Sequence, residues 1–468
     1  MSRDQLEIPM HCKASDSVSR RLLRGLGATA LSPVVTVLIQ WVTIPVFLHV
    51  WGATKYGEWL LLSAIPSYLS FSDLGFGDAS GSDMSVRVAQ NDREGALETF
   101  QSSWILVTCV SFVALLLASL AIWWMPWRSW LRLSSLSSLE AAKVILVLGA
   151  YVAVSQQYGV AESGYRSDGH YATGMFWILV QRLTETIAAT TVAILGGSLL
   201  AVASTYLVVR CLGTVAYSIL LCHLSPWIHF GIRHASKRTI KRLVAPAAGF
   251  MAFPVGYALS LQGLTILIGT TLGPVAVVSF STLRTLSRLI LQVTSVVKNA
   301  LWPELSRAFG EGNVFLARKL NRIAWQACLV ISVLGGMCLW VMGPYIYRLW
   351  LRQDVNFDAT CFHVLLVVVV VNSLWDVGAV IPMSVNGHFR VALLYSGAAL
   401  VSLGFAWMLL PNLGTVGAAI ALVVMDGVMT LYVLRTALEC TKDTLKNFVA
   451  SLLTVPSFRR ALQIAPSA

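Results

Sequence analysis

The sequence predicts an all-α, polytopic integral membrane protein, with about twelve transmembrane helices in two pseudo-symmetric six-helix bundles around a central cavity. Three observations carry that prediction. The 468 residues are 56% hydrophobic and only 12% charged, with a mean hydropathy of +0.72, whereas soluble domains carry about 25% charged residues. Apolar runs of roughly 20 residues, long enough to cross a bilayer core as helices, recur along the whole chain. Short motifs also recur in the same order, roughly 220 residues apart, which is the mark of duplicated halves.

The runs fall in order near residues 26–50, 57–79, 102–125, 142–165, 174–195 and 199–222, then 247–270, 274–300, 323–344, 361–384, 390–411 and 415–438. Repetition groups them. Gln40-x-x-Thr43-Ile44 in the first run recurs as Gln262-x-x-Thr265-Ile266 in the seventh, and "DGHY" (168–171) after the fourth recurs as "NGHF" (386–389) after the tenth. Polar linkers, "SVRVAQNDREGALETF" and "ELSRAFGEGNVFLARKL", follow the second and eighth runs. The expected organisation is a tail at 1–24, a first bundle at 25–222, a basic connector at 223–244, a second bundle at 245–438 and a tail at 439–468.

Lys and Arg are retained on the cytoplasmic side of short loops. With both termini inside, the inner segments hold roughly 23 of these residues and the outer loops roughly 6. The net charge of +12 therefore reads as topology, and its spread over separate loops argues against nucleic acid as a partner. The connector "HFGIRHASKRTIKRL" (229–243) is expected to be a solvated loop that also grips anionic headgroups of the membrane lipids. "SRRLLR" (19–24) faintly resembles an export signal, but it reads better as the basic flank of the first span. The cysteines are scattered with no CxxC or Cys/His spacing, so neither a disulfide framework nor a metal site is expected. No nucleotide-binding, nucleophile-elbow or HExxH pattern is present, and the longest outer loop (126–143) offers Glu140 and no His, so an enzyme and a cofactor are not expected either.

Polar residues inside the runs mark the candidate site. Ser32, Thr36, Gln40 and Thr43 share one helical face of the first run, and Ser63, Ser67, Ser70, Asp73 and Gly77 share one of the second. Ser281, Arg284, Arg288, Gln292, Ser295 and Asn299 do so in the eighth. Lone serines and threonines are expected to glue helices together, and Arg182 with Glu185 to form a structural pair. An arginine at bilayer depth costs about 2.5–3.5 kcal/mol on a lenient scale, so Arg284 and Arg288, like Arg182, Arg210, Asp376 and Asp426, should face the interior or a water-filled cavity. Two guanidiniums one turn apart repel unless acids or an anion lie between them, and a diphosphate offers several oxygens to two such forks.

"GATKYGEWLLLSAIPSYLSFSDLGFG" (52–77) and "LGPVAVVSFSTLRTLSRLI…ALWPELSRAFGEGN" (272–313) resemble the corresponding regions of bacterial polysaccharide flippases, in the multidrug/oligosaccharidyl-lipid/polysaccharide exporter superfamily. The resemblance extends to the span count and short outer loops. It implies a V-shaped pair of bundles in the bacterial cytoplasmic membrane, moving an undecaprenyl-diphosphate-linked oligosaccharide to the outer leaflet alongside polysaccharide polymerase and export machinery. Arg284 is the position similar to the family's cavity arginine; Arg288 and Arg210 are added from the charge argument above. Flippases of the peptidoglycan-precursor type carry two further spans that are not found here. In this scheme Arg284, Arg288 and Arg210 neutralise the diphosphate, while Gln40, Asp73, Gln262 and Asn372 meet glycan hydroxyls. Asp376 and Asp426 are candidates for coupling to a cation gradient, or else for ion pairs with Arg210 or another arginine. A multidrug-type exporter of the same architecture is the alternative, and it would need an aromatic, acid-lined pocket.

Overall fold

Helices begin where the sequence supplies caps and end where the backbone turns left-handed. The computed structural model describes residues 31–352, 355–384 and 388–453. The tail with "SRRLLR", Asn386 of the second repeat motif and residues 454–468 lie outside the described residues, as does the side chain of Ser32. The first group of helices is α1 (Leu31–Ala64), a 3-10 stretch (Pro66–Asp73), α2 (Phe76–Ala89), α3 (Arg93–Ile122), α4 (Trp127–Trp130), α5 (Ser138–Ser167), α6 (Tyr171–Ile194) and α7 (Leu199–Leu224). The second is α8 (Lys237–Ala258), a π turn (Leu259–Gly263), α9 (Leu264–Leu272), α10 (Pro274–Ser287), α11 (Leu289–Gly310), α12 (Val314–Leu351), α13 (Ala359–Gly378), α14 (Val380–Ser384), α15 (His388–Leu413), α16 (Thr415–Thr441) and α17 (Leu445–Leu453). Side chains of Asp92, Ser198, Asn313 and Asp358 accept from the first-turn amides of α3, α7, α12 and α13, and Ser137 with Glu140 closes a capping box on α5.

Among the described residues, 9 helices are long and apolar enough to cross a membrane, or 10 if the bent pair α10 and α11 is one span. One of them, Pro33–Ala89, is 57 residues long, about 85 Å if straight against about 30 Å of hydrocarbon. It therefore makes two crossings. The chain reverses at Gly52, whose φ of 72° is a left-handed value that a β-carbon disfavours. With that run taken twice, and with the polar-interrupted α6, the helices correspond one for one to the twelve apolar runs.

Four expectations need correction. The second span is not one helix from 57 to 79, because Pro66 opens a 3-10 stretch and Leu74 and Gly75 take positive φ. Its serines bond their own backbone, Ser63 to Leu60, Ser67 to Ala64 and Ser70 to Ser67, so they shape this tightened segment instead of joining neighbouring helices. The eighth span is broken at Arg288, with a bend of 43°. The seventh, expected as a plain helix from 247, starts at Lys237 and carries a π turn. About a third of the expected connector, residues 237–244, is thus the beginning of α8.

The two groups share one apolar core at the end away from the connector. There Ile44, Phe47, Leu61 and Leu62 pack with Ile268, Val277, Phe280 and Trp350. At the connector end the cores are separate, one around Phe76, Phe100 and Tyr165 and one around Leu305, Trp325 and Phe448. The seam runs along the second crossing and α8–α10. A β-carbon on Gly57 would collide with the Pro274 carbonyl, and one on Gly75 with that of Ala247. Glu58, fully buried, accepts from the amides of Ser134 and Ser135 and so fixes the loop from which Arg132 donates to the Thr271 carbonyl across the seam. At the connector end, Asp83 accepts from Arg242, Glu98 from Thr239, and Gln101 from the amide of His234. The geometry is a joined far end and a parted connector end, meeting there through α8.

Candidate functional site

Two irregular segments face each other in the second group. On one side the π turn interrupts α8–α9 just after Pro254 and Gly256; such turns free backbone carbonyls and occur often at functional sites. On the other side α10 stops at Ser287, Arg288 bridges the break, and α11 departs at an angle. Irregular backbone at membrane depth is tolerated where it is buried in protein or lines a cavity. Here it lines a cavity of about 650 Å3, walled by Tyr257, Ser260, Arg284, Arg288, Gln292 and Lys298 on these segments and by Asn372, Trp375, Asp376, Tyr395 and Asp426 opposite.

The cavity's charges are unevenly partnered. Lys298 donates to both oxygens of Asp376, at 2.9 and 2.8 Å. Asp426, 1% exposed, makes no ion pair among the described residues; one oxygen accepts from Asn372 at 3.0 Å and from Trp375 at 2.8 Å. Arg284 and Arg288 make no ion pair among the described residues. Arg284 reaches the Leu261 carbonyl in the π turn at 3.5 Å and lies over the Phe280 ring at 5.3 Å. Arg288 reaches the Tyr257 hydroxyl at 3.5 Å and lies over that ring at 5.7 Å. These are long contacts for a guanidinium. With every group ionised the cavity carries an excess of positive charge, concentrated at the break.

Of the residues expected to bind substrate or couple ions, the fold brings Arg284, Arg288, Asn372, Asp376 and Asp426 to one cavity. It does not bring the others. Arg210 is in the first group, where one guanidinium nitrogen donates to Tyr151 at 2.6 Å and to Glu185 at 2.8 Å, and the Tyr151 and Tyr158 rings flank it. This corrects the expected pair of Arg182 with Glu185. Glu185 is buried against α7, while Arg182 is exposed towards α1 and donates to Thr36. The expectation that Asp376 or Asp426 pairs with Arg210 is corrected too, since Asp376 holds Lys298. Gln40 lies half-buried on α1 and Gln262 half-buried in the π turn, neither lining the cavity. Asp73 ends the 3-10 stretch, accepts from the Gly75 amide at 2.6 Å, and lines a separate pocket of about 130 Å3 with Asp78, Glu162 and Arg166. Tyr257, Trp375, Tyr395 and Lys298 were not singled out from sequence as cavity residues. Lys298 alone left a signal, ten residues beyond Arg288 in the same span.

No protein-family model matches the chain, and no curated protein does. Solved structures do. An inward-facing conformation of a multidrug resistance MATE family transporter of the MOP superfamily is similar at a TM-score of 0.67 and 16% identity, covering 93% of this chain and 98% of that one. The outward-facing conformation of such a transporter is similar at 0.64 and 15%, covering 91% and 97%. A Vibrio cholerae MATE transporter is similar at 0.67 and 15%, covering 92% and 98%. The chain thus has the fold of the MATE transporters, with its two pseudo-symmetric halves and multi-pass membrane architecture.

Proposed function

We propose that the protein is an alternating-access membrane exporter whose cavity receives an anionic amphiphile, with an undecaprenyl-diphosphate-linked oligosaccharide as the substrate class. The observation that carries this reading is the pair Arg284 and Arg288, held at a helix break over aromatic rings and making no ion pair among the described residues. Placing such charge at membrane depth is costly, and a diphosphate supplies the opposite charge and the acceptors for two guanidinium forks. The shared core at one end and separate cores at the other support a rocking motion of two halves about the cavity. Asp426, in no ion pair among the described residues and closed into the wall, is the better placed of the two acids to exchange a proton or cation during that motion; Asp376 is occupied by Lys298.

The test is the double variant Arg284→Ala with Arg288→Ala, assayed at equal protein level. The reading expects surface polysaccharide to fall at least tenfold; normal polysaccharide would exclude it. A second reading, a multidrug-type exporter, is favoured by two observations. The similar solved structures include multidrug resistance transporters, and Phe253, Tyr257, Trp375 and Tyr395 with Asp426 form an aromatic wall containing an acid. That reading expects Asp426→Asn to abolish export of cationic drugs while the double arginine variant retains it.

A further inference from the structure

On the outer face of the second group, α15 and α16 enclose a groove of about 720 Å3 that neither the cavity nor its charges explain. Its wall is apolar along Gly397, Val401, Phe405 and Val428, and it ends at Arg390 and Tyr432, near the connector end of both helices. The residues recur every three or four positions, so the groove follows the helix axis. From Arg390 to Phe405 that axis rises about 22 Å. One leaflet's share of the hydrocarbon is about 15 Å, so a groove that starts with Arg390 at the hydrocarbon edge continues past the bilayer midplane. An ordinary acyl chain ends near that plane; a long isoprenoid chain does not.

We infer that this groove docks the polyprenyl chain of a lipid phosphate, with its phosphate at Arg390. Charge complementarity selects the head and length selects the tail. Met425 lines both this groove and the arginine cavity, so a docked chain lies one side chain away from the place where the head group is to be carried. The inference names the lipid part of the substrate proposed above, and its role in transport rests on that reading. Gly397 is where the groove can be closed: a β-carbon there meets no atom within 4 Å, so a large side chain fills the groove without displacing the helix.

Native mass spectrometry of the purified full-length protein, with undecaprenyl phosphate, farnesyl phosphate and dioleoyl phosphatidylglycerol at equal concentration, tests it. The wild type is expected to retain undecaprenyl phosphate at least tenfold better than the other two. Gly397→Trp, and independently Val428→Trp should the first fail to fold, is expected to remove that preference with the unfolding temperature unchanged, and Arg390→Gln to reduce it severalfold. Equal retention by wild type and both filled variants overturns the groove. So does groove-dependent retention of phosphatidylglycerol at the same level, which makes this an ordinary acyl-chain site. The double variant of Arg284 and Arg288 should keep undecaprenyl phosphate in the groove. If that holds while polysaccharide stays normal, only the transport reading falls.

Discussion

Arg210 in the first group and the Arg284–Arg288 pair in the second meet the same electrostatic problem in different ways. Arg210 has Glu185 and Tyr151 within hydrogen-bond distance and aromatic rings on its flanks, so its charge is answered inside the protein. Arg284 and Arg288 have rings and one long contact each, in a cavity large enough for a head group. A charge that the fold itself neutralises serves the fold; a charge left over against a cavity serves what enters. The two halves differ at this level, one closing its charge into a structural network and the other leaving its charges against a cavity.

The largest effect is expected where the closed network is opened. Glu185→Ala leaves Arg210 buried without its acid and should lower stability by about 3–5 kcal/mol, read as a large fall in unfolding temperature in detergent. A neutral outcome would break the comparison, because Arg210 would then not depend on its partner. A middle-sized effect is expected at the seam. Gly57→Val drives a branched side chain into the Pro274 carbonyl, and overpacking of this kind costs typically about 1–3 kcal/mol. Since it parts the far end, it should also raise cysteine-crosslinking distances across Gly57 and Pro274 while leaving Asp83 near Arg242. Unchanged distances at the far end would show that the shared core there does not depend on the Gly57–Pro274 approach.

The smallest effect concerns a contact outside the spans. Asp443, just beyond α16, is desolvated, which acts to raise its pKa, but hydrogen bonds from Arg322 and the Thr444 amide outweigh this and hold it below the ordinary carboxylate value. A depressed carboxylate stabilises the fold above its unfolded pKa, about 3.9, and loses that contribution as pH falls through its folded pKa. Protection against amide exchange in residues 436–448, corrected for the intrinsic pH dependence of exchange, should therefore be unchanged from pH 7 to about 5 and fall below about pH 4. Arg322→Ala should remove most of that acid dependence, and an unaltered profile in the variant would show that the pair does not hold this segment.

Much of the fold was legible because spans are written in composition. Every apolar run corresponds to a helical stretch, since hydrocarbon forces the backbone to satisfy its own hydrogen bonds. The irregular places were not legible. The π turn, the break at Arg288 and the 3-10 stretch lie inside continuous apolar runs, and no periodicity marks them. The candidate site was half legible. Charge inside a span identified Arg284, Arg288, Asp376 and Asp426 as candidates, but helical spacing could not tell which partner each would meet. Arg182 and Glu185 have the spacing of a pair and diverge, whereas Lys298 and Asp376 are 78 residues apart and bond.

The most direct measurement of the central claim compares stability and binding in one variant. Arg284→Gln with Arg288→Gln should unfold at or above the wild-type temperature, because two mutually repelling, half-buried charges are removed, yet bind inorganic diphosphate, which has no chain for the outer groove, at least a hundredfold more weakly, about 2.7 kcal/mol. Wild-type affinity in that variant, or a destabilisation like that of Glu185→Ala, would contradict the account.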